Sequence, residues 1–127
     1  MAAMPNLLTR KEESMTVARI SIMHTSSDPT GTATVKRAQV ERLLDQLEEH
    51  LSALPGYIMG FRFAGHEDAD QLGRISLWRT QQEADHAANL THTLALRSDI
   101  HRLIDPGHLE TLVEVKGSPK NIPAPRR

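Results

Sequence analysis

From Thr16 to Thr25 apolar and polar positions alternate, with Ala18, Ile20, Ile22 and His24 on one side and Val17, Arg19, Ser21 and Met23 on the other. That period of two predicts a first β-strand. Beyond the turn formers Ser26 to Gly31, the residues Val40, Leu43, Leu44, Leu47, Leu51 and Leu54 recur at three- and four-residue steps between charged positions, the pattern of a long helix lying on a sheet. Pro55-Gly56 ends it, because proline removes a ladder donor and disfavours a helical residue before it. Tyr57 to Ala64 alternates again and predicts a second strand, and a polar loop from Gly65 to Gly73 leads into a third over Arg74–Arg79. In that third strand Ile75 and Leu77 share one face, Ser76 and Trp78 the other. Thr80-Gln-Gln-Glu83 matches a capping box and opens a second helix. Its apolar step slips around Asn89 to Thr93, which predicts a kink or two consecutive helices. Asp105-Pro-Gly107 makes a turn, and Glu110–Lys116 supplies a fourth strand.

The order β-α-β-β-α-β predicts an α+β, ferredoxin-like domain over residues 16–116, with a four-stranded antiparallel sheet carrying both helices on one face. The pattern groups Tyr57, Phe61 and Phe63 with Ile75 and Leu77 on the main apolar face. It leaves Val17, Met23, Ile58 and Trp78 with Arg19, Ser21, Arg62 and Ser76 on the other. A face so mixed is expected to pack against a second copy of the chain, as a homodimer, with Arg19 and Arg62 available for ion pairs across that interface. Residues 1–15 are charged and without period and read as a flexible arm, with Met15 a second candidate start. Residues 117–127 read as a flexible, Pro-rich basic tail.

Composition narrows the function classes. The 127 residues are 39% hydrophobic but only 3% aromatic, and all the aromatics fall between Tyr57 and Trp78, so Leu, Ile, Val, Met and Ala must build the core. A formal net charge of -1 supplies no field to hold a polyanion, which argues against nucleic acid or an anionic membrane as partner. The absence of Cys removes disulfides and thiolate chemistry. No apolar run approaches the roughly 20 residues of a membrane span, and the N-terminus has acids where a signal peptide would need an apolar run and a small-residue cleavage site; a cytoplasmic protein is expected.

The run Leu-Pro-Gly-Tyr57-Ile-Met-Gly-Phe61-Arg-Phe63, the hairpin, Ile75-Ser-Leu-Trp78-Arg-Thr-Gln-Gln-Glu83-Ala-Asp-His86-Ala-Ala and the closing strand resemble the dimeric α/β-barrel superfamily, most closely the antibiotic-biosynthesis-monooxygenase-type domains. The resemblance implies a homodimer with facing sheets and a small-molecule pocket between the sheet and the helices of each subunit. It also implies a choice of activities: a cofactor-independent monooxygenase acting on phenols or quinols of the aromatic polyketide type, a haem-binding or haem-degrading protein, or a non-catalytic ligand-binding or interaction domain.

Three residues are candidates for chemistry. Trp78 stands where the family places a pocket-lining Trp, and packing at a helix or dimer interface is its alternative use. His86 lies near the position of the proximal His of haem-degrading members, although the spacing is shorter here. His24, at the end of the first strand, has the chemistry of a general base toward a phenol. The Ser21-Ile-Met-His24 run occupies the strand position where the oxygenase and haem groups commonly keep an Asn. No metal site is indicated: His66, Glu67, Asp68 and Asp70 share a solvated loop, and His86, His92, His101 and His108 lack a zinc spacing. Glycine-rich phosphate loops and a nucleophile elbow are absent, so no cofactor is indicated either.

Overall fold

The computed structural model describes residues 15–25 and 32–116; the turn at 26–31, the expected tail at 117–127 and all but the last residue of the expected arm lie outside the described residues. The elements are β1 (Val17–His24), α1 (Thr32–Ser52), β2 (Tyr57–Ala64), β3 (Gln71–Trp78), α2 (Gln81–Ala88), α3 (Thr91–His101) and β4 (Leu109–Glu114). The strands form one sheet in the order β2-β3-β1-β4, every neighbouring pair antiparallel. This is the ferredoxin-like topology expected, with the strand that opens the domain at the centre of the sheet. No helix among the described residues is long and apolar enough to cross a membrane.

Local details follow from residue chemistry. β3 begins three residues earlier than the loop composition suggested, because Gly73 lies within it rather than at its start. There a Cβ would stand 2.1 Å from the Ser21 carbonyl oxygen and 2.5 Å from the ring of Phe63, so only hydrogen fits. The Thr80 hydroxyl accepts from the Glu83 amide at 3.1 Å and so caps α2, but the Glu83 carboxylate accepts from the Thr80 hydroxyl and from Arg79. The slip in the helical period resolves into two helices. Asn89 ends α2, its amide donating to the His86 carbonyl and its side chain to the Asp85 carbonyl.

The sheet faces are the reverse of the sequence expectation. The register pairs Val17 with Trp78, Arg19 with Ser76, Ser21 with Arg74 and Met23 with Leu72, which puts the half-polar set on one face. That face carries the helices: Val17, Met23, Leu72 and Trp78 form one core with Val40, Leu44, Leu47 and Leu51 of α1, Ala84 and Ala87 of α2, and Leu96 and Ile100 of α3. Each large apolar side chain so buried contributes about 1.5–3 kcal/mol. The charged members of the face find partners within the chain, Arg19 under partial burial and Arg62 at the exposed edge. Arg19 pairs with Asp85 of α2 and approaches Glu110 of β4, and Arg62 pairs with Asp45 and Glu41 of α1, so neither arginine is left for the cross-subunit ion pairs expected.

Tyr57 also changes sides. Between Tyr57 and Met59 two residues of β2 oppose one step of β3, a bulge that shifts the alternation by one. Tyr57 therefore leaves the face of Phe61 and Phe63 and meets Trp78 edge-to-face at 5.5 Å. The face left open is the more apolar one. Phe61 is 51% exposed, Leu109 52% and Val113 40%, around Ile20 and Ile75, which sit opposite one another in the sheet.

Candidate functional site

Between the sheet and the helices runs a seam of polar side chains, held in place by the strand register. Arg74 of β3 lies directly opposite Ser21 of β1, and Ser21 in turn opposite Glu110 of β4, so three polar residues cross the sheet in one row on the helix side. Met23, Leu44, Leu47 and Ile100 wall the space above this row, and Arg97 and His101 of α3 with His108 close it. The cavity they enclose measures about 10 Å³, room for about one water molecule. His101 is exposed and marks the side on which the cavity approaches solvent.

Arg74 is the unusual member. Only 3% of it is exposed, and its guanidinium donates to the Ser76 hydroxyl at 3.3 Å. Among the described residues no carboxylate lies within ion-pair distance of it. Burial holds its pKa below the usual arginine value, against the opposing pull of Glu110 and Glu48. Glu110 is instead bonded by Arg97 at 2.9 Å through Oε1 and approached by Arg19 at 3.8 Å through Oε2. Three guanidiniums thus lie near Glu110; Arg97 is paired with it and Arg19 with Asp85, which leaves Arg74 as the buried cation without an ion-pair partner among the described residues, a donor suited to an anion. Burial lowers the His101 pKa, and the neighbouring His108 and Arg97 lower it further while Glu110 opposes them.

The three residues singled out in the sequence are not brought together. Trp78 is 1% exposed in the core, and its indole donates to the same Ser76 hydroxyl that receives Arg74, at 3.0 Å. Neither Trp78 nor Ser76 lines the cavity; Trp78 connects to it only through Ser76 and Arg74. His24 lies at the far end of β1, its ring 3.2 Å from the Asp68 carboxylate of the hairpin loop. His86 is exposed on α2. Nearby, the Tyr57 hydroxyl donates to Glu48, and burial together with that bond raises the Tyr57 pKa. Sequence reasoning missed Arg74, Arg97, His101, His108 and Glu110 as a group. The signal available was a lone arginine in a strand, on the face shared with Ser76 and Trp78.

No protein-family model matches the sequence, and no curated protein sequence matches it. Solved structures do. SnoaB from Streptomyces nogalater, a cofactor-independent oxygenase, superposes over 82% of this chain and 96% of its own with a TM-score of 0.67 at 12% identity. Rv0793 from Mycobacterium tuberculosis does so over 81% and 97%, with a TM-score of 0.68 at 17% identity. A proposed antibiotic biosynthesis monooxygenase from Caulobacter crescentus covers 87% of this chain and 99% of its own, with a TM-score of 0.69 at 8% identity. The chain therefore has the fold of the antibiotic-biosynthesis-monooxygenase-type domains.

Proposed function

We propose that the seam binds a small phenol or quinol as its anion, and that the protein is a cofactor-independent monooxygenase for such a substrate. The observation that carries this reading is Arg74: a guanidinium buried to 3% exposure, without a carboxylate partner among the described residues, in a row of polar side chains beside an apolar wall. A buried cation in such a place stabilises negative charge as it develops on a substrate oxygen, at little reorganisation cost. The cavity of about 10 Å³ holds about one water, so Met23, Leu44, Leu47 and Ile100 would have to part as the substrate enters; closed on it, they would exclude water and cover its flat hydrocarbon part. Loss of a proton from the substrate gives a delocalised anion, which passes one electron to O2. The two radicals combine to a peroxide anion, which takes up a proton from solvent in place of the one lost at the start, and loss of water leaves a new carbonyl, so that one O2 yields one product carbonyl and one water. The chain's part is to hold the anion through Arg74, with Trp78 as a positioning residue that orients Ser76. The likeness in fold to SnoaB supports the reaction class.

The open apolar face gives the second element of the proposal, a homodimer in which two such sheets cover each other.

The test is oxygen uptake with a panel of quinols and anthrone-like phenols, run beside a binding titration read by the fluorescence of Trp78, the one tryptophan in the sequence. Uptake of one O2 per carbonyl formed, lost in Arg74→Met, is the expected result. Binding without uptake removes the oxygenase and leaves a ligand-binding protein. The absence of both, in folded protein, overturns the whole reading.

A further inference from the structure

At the solvent side of the seam three ligand-type side chains converge from different elements. His101 is the last residue of α3, His108 precedes β4 by one residue and Glu110 is the second residue of that strand. Their donor atoms all lie within 4.8 Å of one another, and the two imidazole rings are 4.3 Å apart between centroids. Glu110 is divided in its use. Its Oε1 accepts from Arg97 at 2.9 Å, whereas its Oε2 is buried without a hydrogen-bond partner, the Arg19 guanidinium standing 3.8 Å away. An unsatisfied buried carboxylate oxygen is costly and calls for an explanation. All three residues line the same cavity of about 10 Å³.

We propose that His101, His108 and Glu110 bind a divalent transition-metal ion of the zinc class. Two nitrogens and one carboxylate oxygen form a three-ligand set that leaves a fourth tetrahedral position open, the arrangement of reactive rather than structural zinc sites. Calcium and magnesium prefer all-oxygen shells and are disfavoured by two imidazoles. Ligand bonds of about 2.0–2.2 Å place tetrahedral donors about 3.3 Å apart, so donors that lie within 4.8 Å of one another close by about 1.5 Å at most. Arg97 would then hold the second oxygen of the ligating carboxylate and fix its orientation, the usual task of an outer partner. Arg19, Arg74 and Arg97 oppose a dication here, so a hydroxide or another anion in the fourth position belongs to the bound state. This site goes beyond the oxygenase reading and does not rest on it, because metal binding is measured without any substrate.

The full chain, treated with chelator and dialysed, would be titrated with Zn²⁺ against a chromophoric competitor and separately with Co²⁺, whose visible absorption reports coordination. One ion per chain is expected for each, with the intense visible bands of a low-coordinate Co²⁺ site. His101→Ala and His108→Ala should each weaken binding at least tenfold, roughly the smallest loss that follows from removing even an outer partner of a ligand. Glu110→Gln, which keeps the shape of the side chain, should do the same, and His66→Ala in the hairpin loop should leave binding unchanged. Far-ultraviolet circular dichroism of each variant separates loss of the site from loss of the fold. Failure of the wild-type chain to take up either ion overturns the proposal, as does uptake that persists undiminished in both histidine variants.

Discussion

Replacing Arg74 with Met tests whether the buried guanidinium serves binding or architecture, because the two uses predict opposite signs. In the folded chain Arg74 is 3% exposed and has Ser76 Oγ as its hydrogen-bond partner, at 3.3 Å. Glu110 does not depend on it, being bonded directly by Arg97 and approached by Arg19. The substitution therefore removes a desolvated charge; Glu48, which also attracts Arg74, keeps its hydrogen bond from the Tyr57 hydroxyl. Exchanging buried ionic groups for apolar ones of similar volume is often stabilising by about 1–4 kcal/mol. The lost hydrogen bond returns about 1 kcal/mol of that, and Ser76 still accepts from Trp78. A net gain of about 0–3 kcal/mol remains, and each kcal/mol raises Tm by about 4–8 °C in a domain of roughly this size. Anion binding should move the other way. A hydrogen bond to a charged group contributes about 1.5–3 kcal/mol, so affinity for a phenolate should fall about tenfold to a hundredfold. Thermal unfolding and urea titration, followed by Trp78 fluorescence, measure the first effect; ligand titration measures the second. A variant that is less stable than wild type and binds equally well would refute the argument and make Arg74 a structural residue.

Three further outcomes are expected. Trp78→Ala should cost about 3–5 kcal/mol, the usual loss for truncating a fully buried aromatic, read by circular dichroism because the fluorophore is gone; a cost below 1 kcal/mol, roughly the level of a surface change, would mean Trp78 is not the core residue it is here. Phe61→Asp on the open sheet face should convert the proposed dimer to a folded monomer in light scattering, and an unchanged mass would remove that interface. Burial, and secondarily His92, lowers the His50 pKa below its ordinary 6.5, while the His50 ring bonds Thr93 at 2.8 Å. The unfolded chain thus takes up this proton first, and stability is lost as pH falls through 6.5 and levels off below the folded value. Urea unfolding between about pH 7.5 and about pH 5 should show a shallower decline in His50→Gln than in wild type, and parallel curves would contradict it.

The element order, the strand boundaries at Tyr57 and Ala64, the cap at Thr80 and the break near Asn89 were all readable from local pattern. Each depends on interactions between residues a few positions apart, and their spacing is written in the chain. The pairing of residues into alternate sets along β1 and β3 was equally readable, since a strand has only two faces. Which set meets the helices was not. Hydropathy favoured Ile20, Ile75 and Phe61 for the core, but the half-polar set is stable there because Arg19 reaches Asp85 on a helix 66 residues away in sequence, and Trp78 and Arg74 share Ser76. Such compensation is invisible to a one-residue scale. The bulge at Tyr57 belongs to the same class, because it depends on what β3 presents opposite. The candidate site is wholly a product of tertiary structure: Ser21, Arg74, Arg97, His101, His108 and Glu110 come from four elements and the turn before β4, and share no spacing motif. The sequence by itself determined the kinds and order of elements, through short-range periodicity; only the folded sheet, by setting strands side by side in register, decided which face is core, which is open, and where charge is buried.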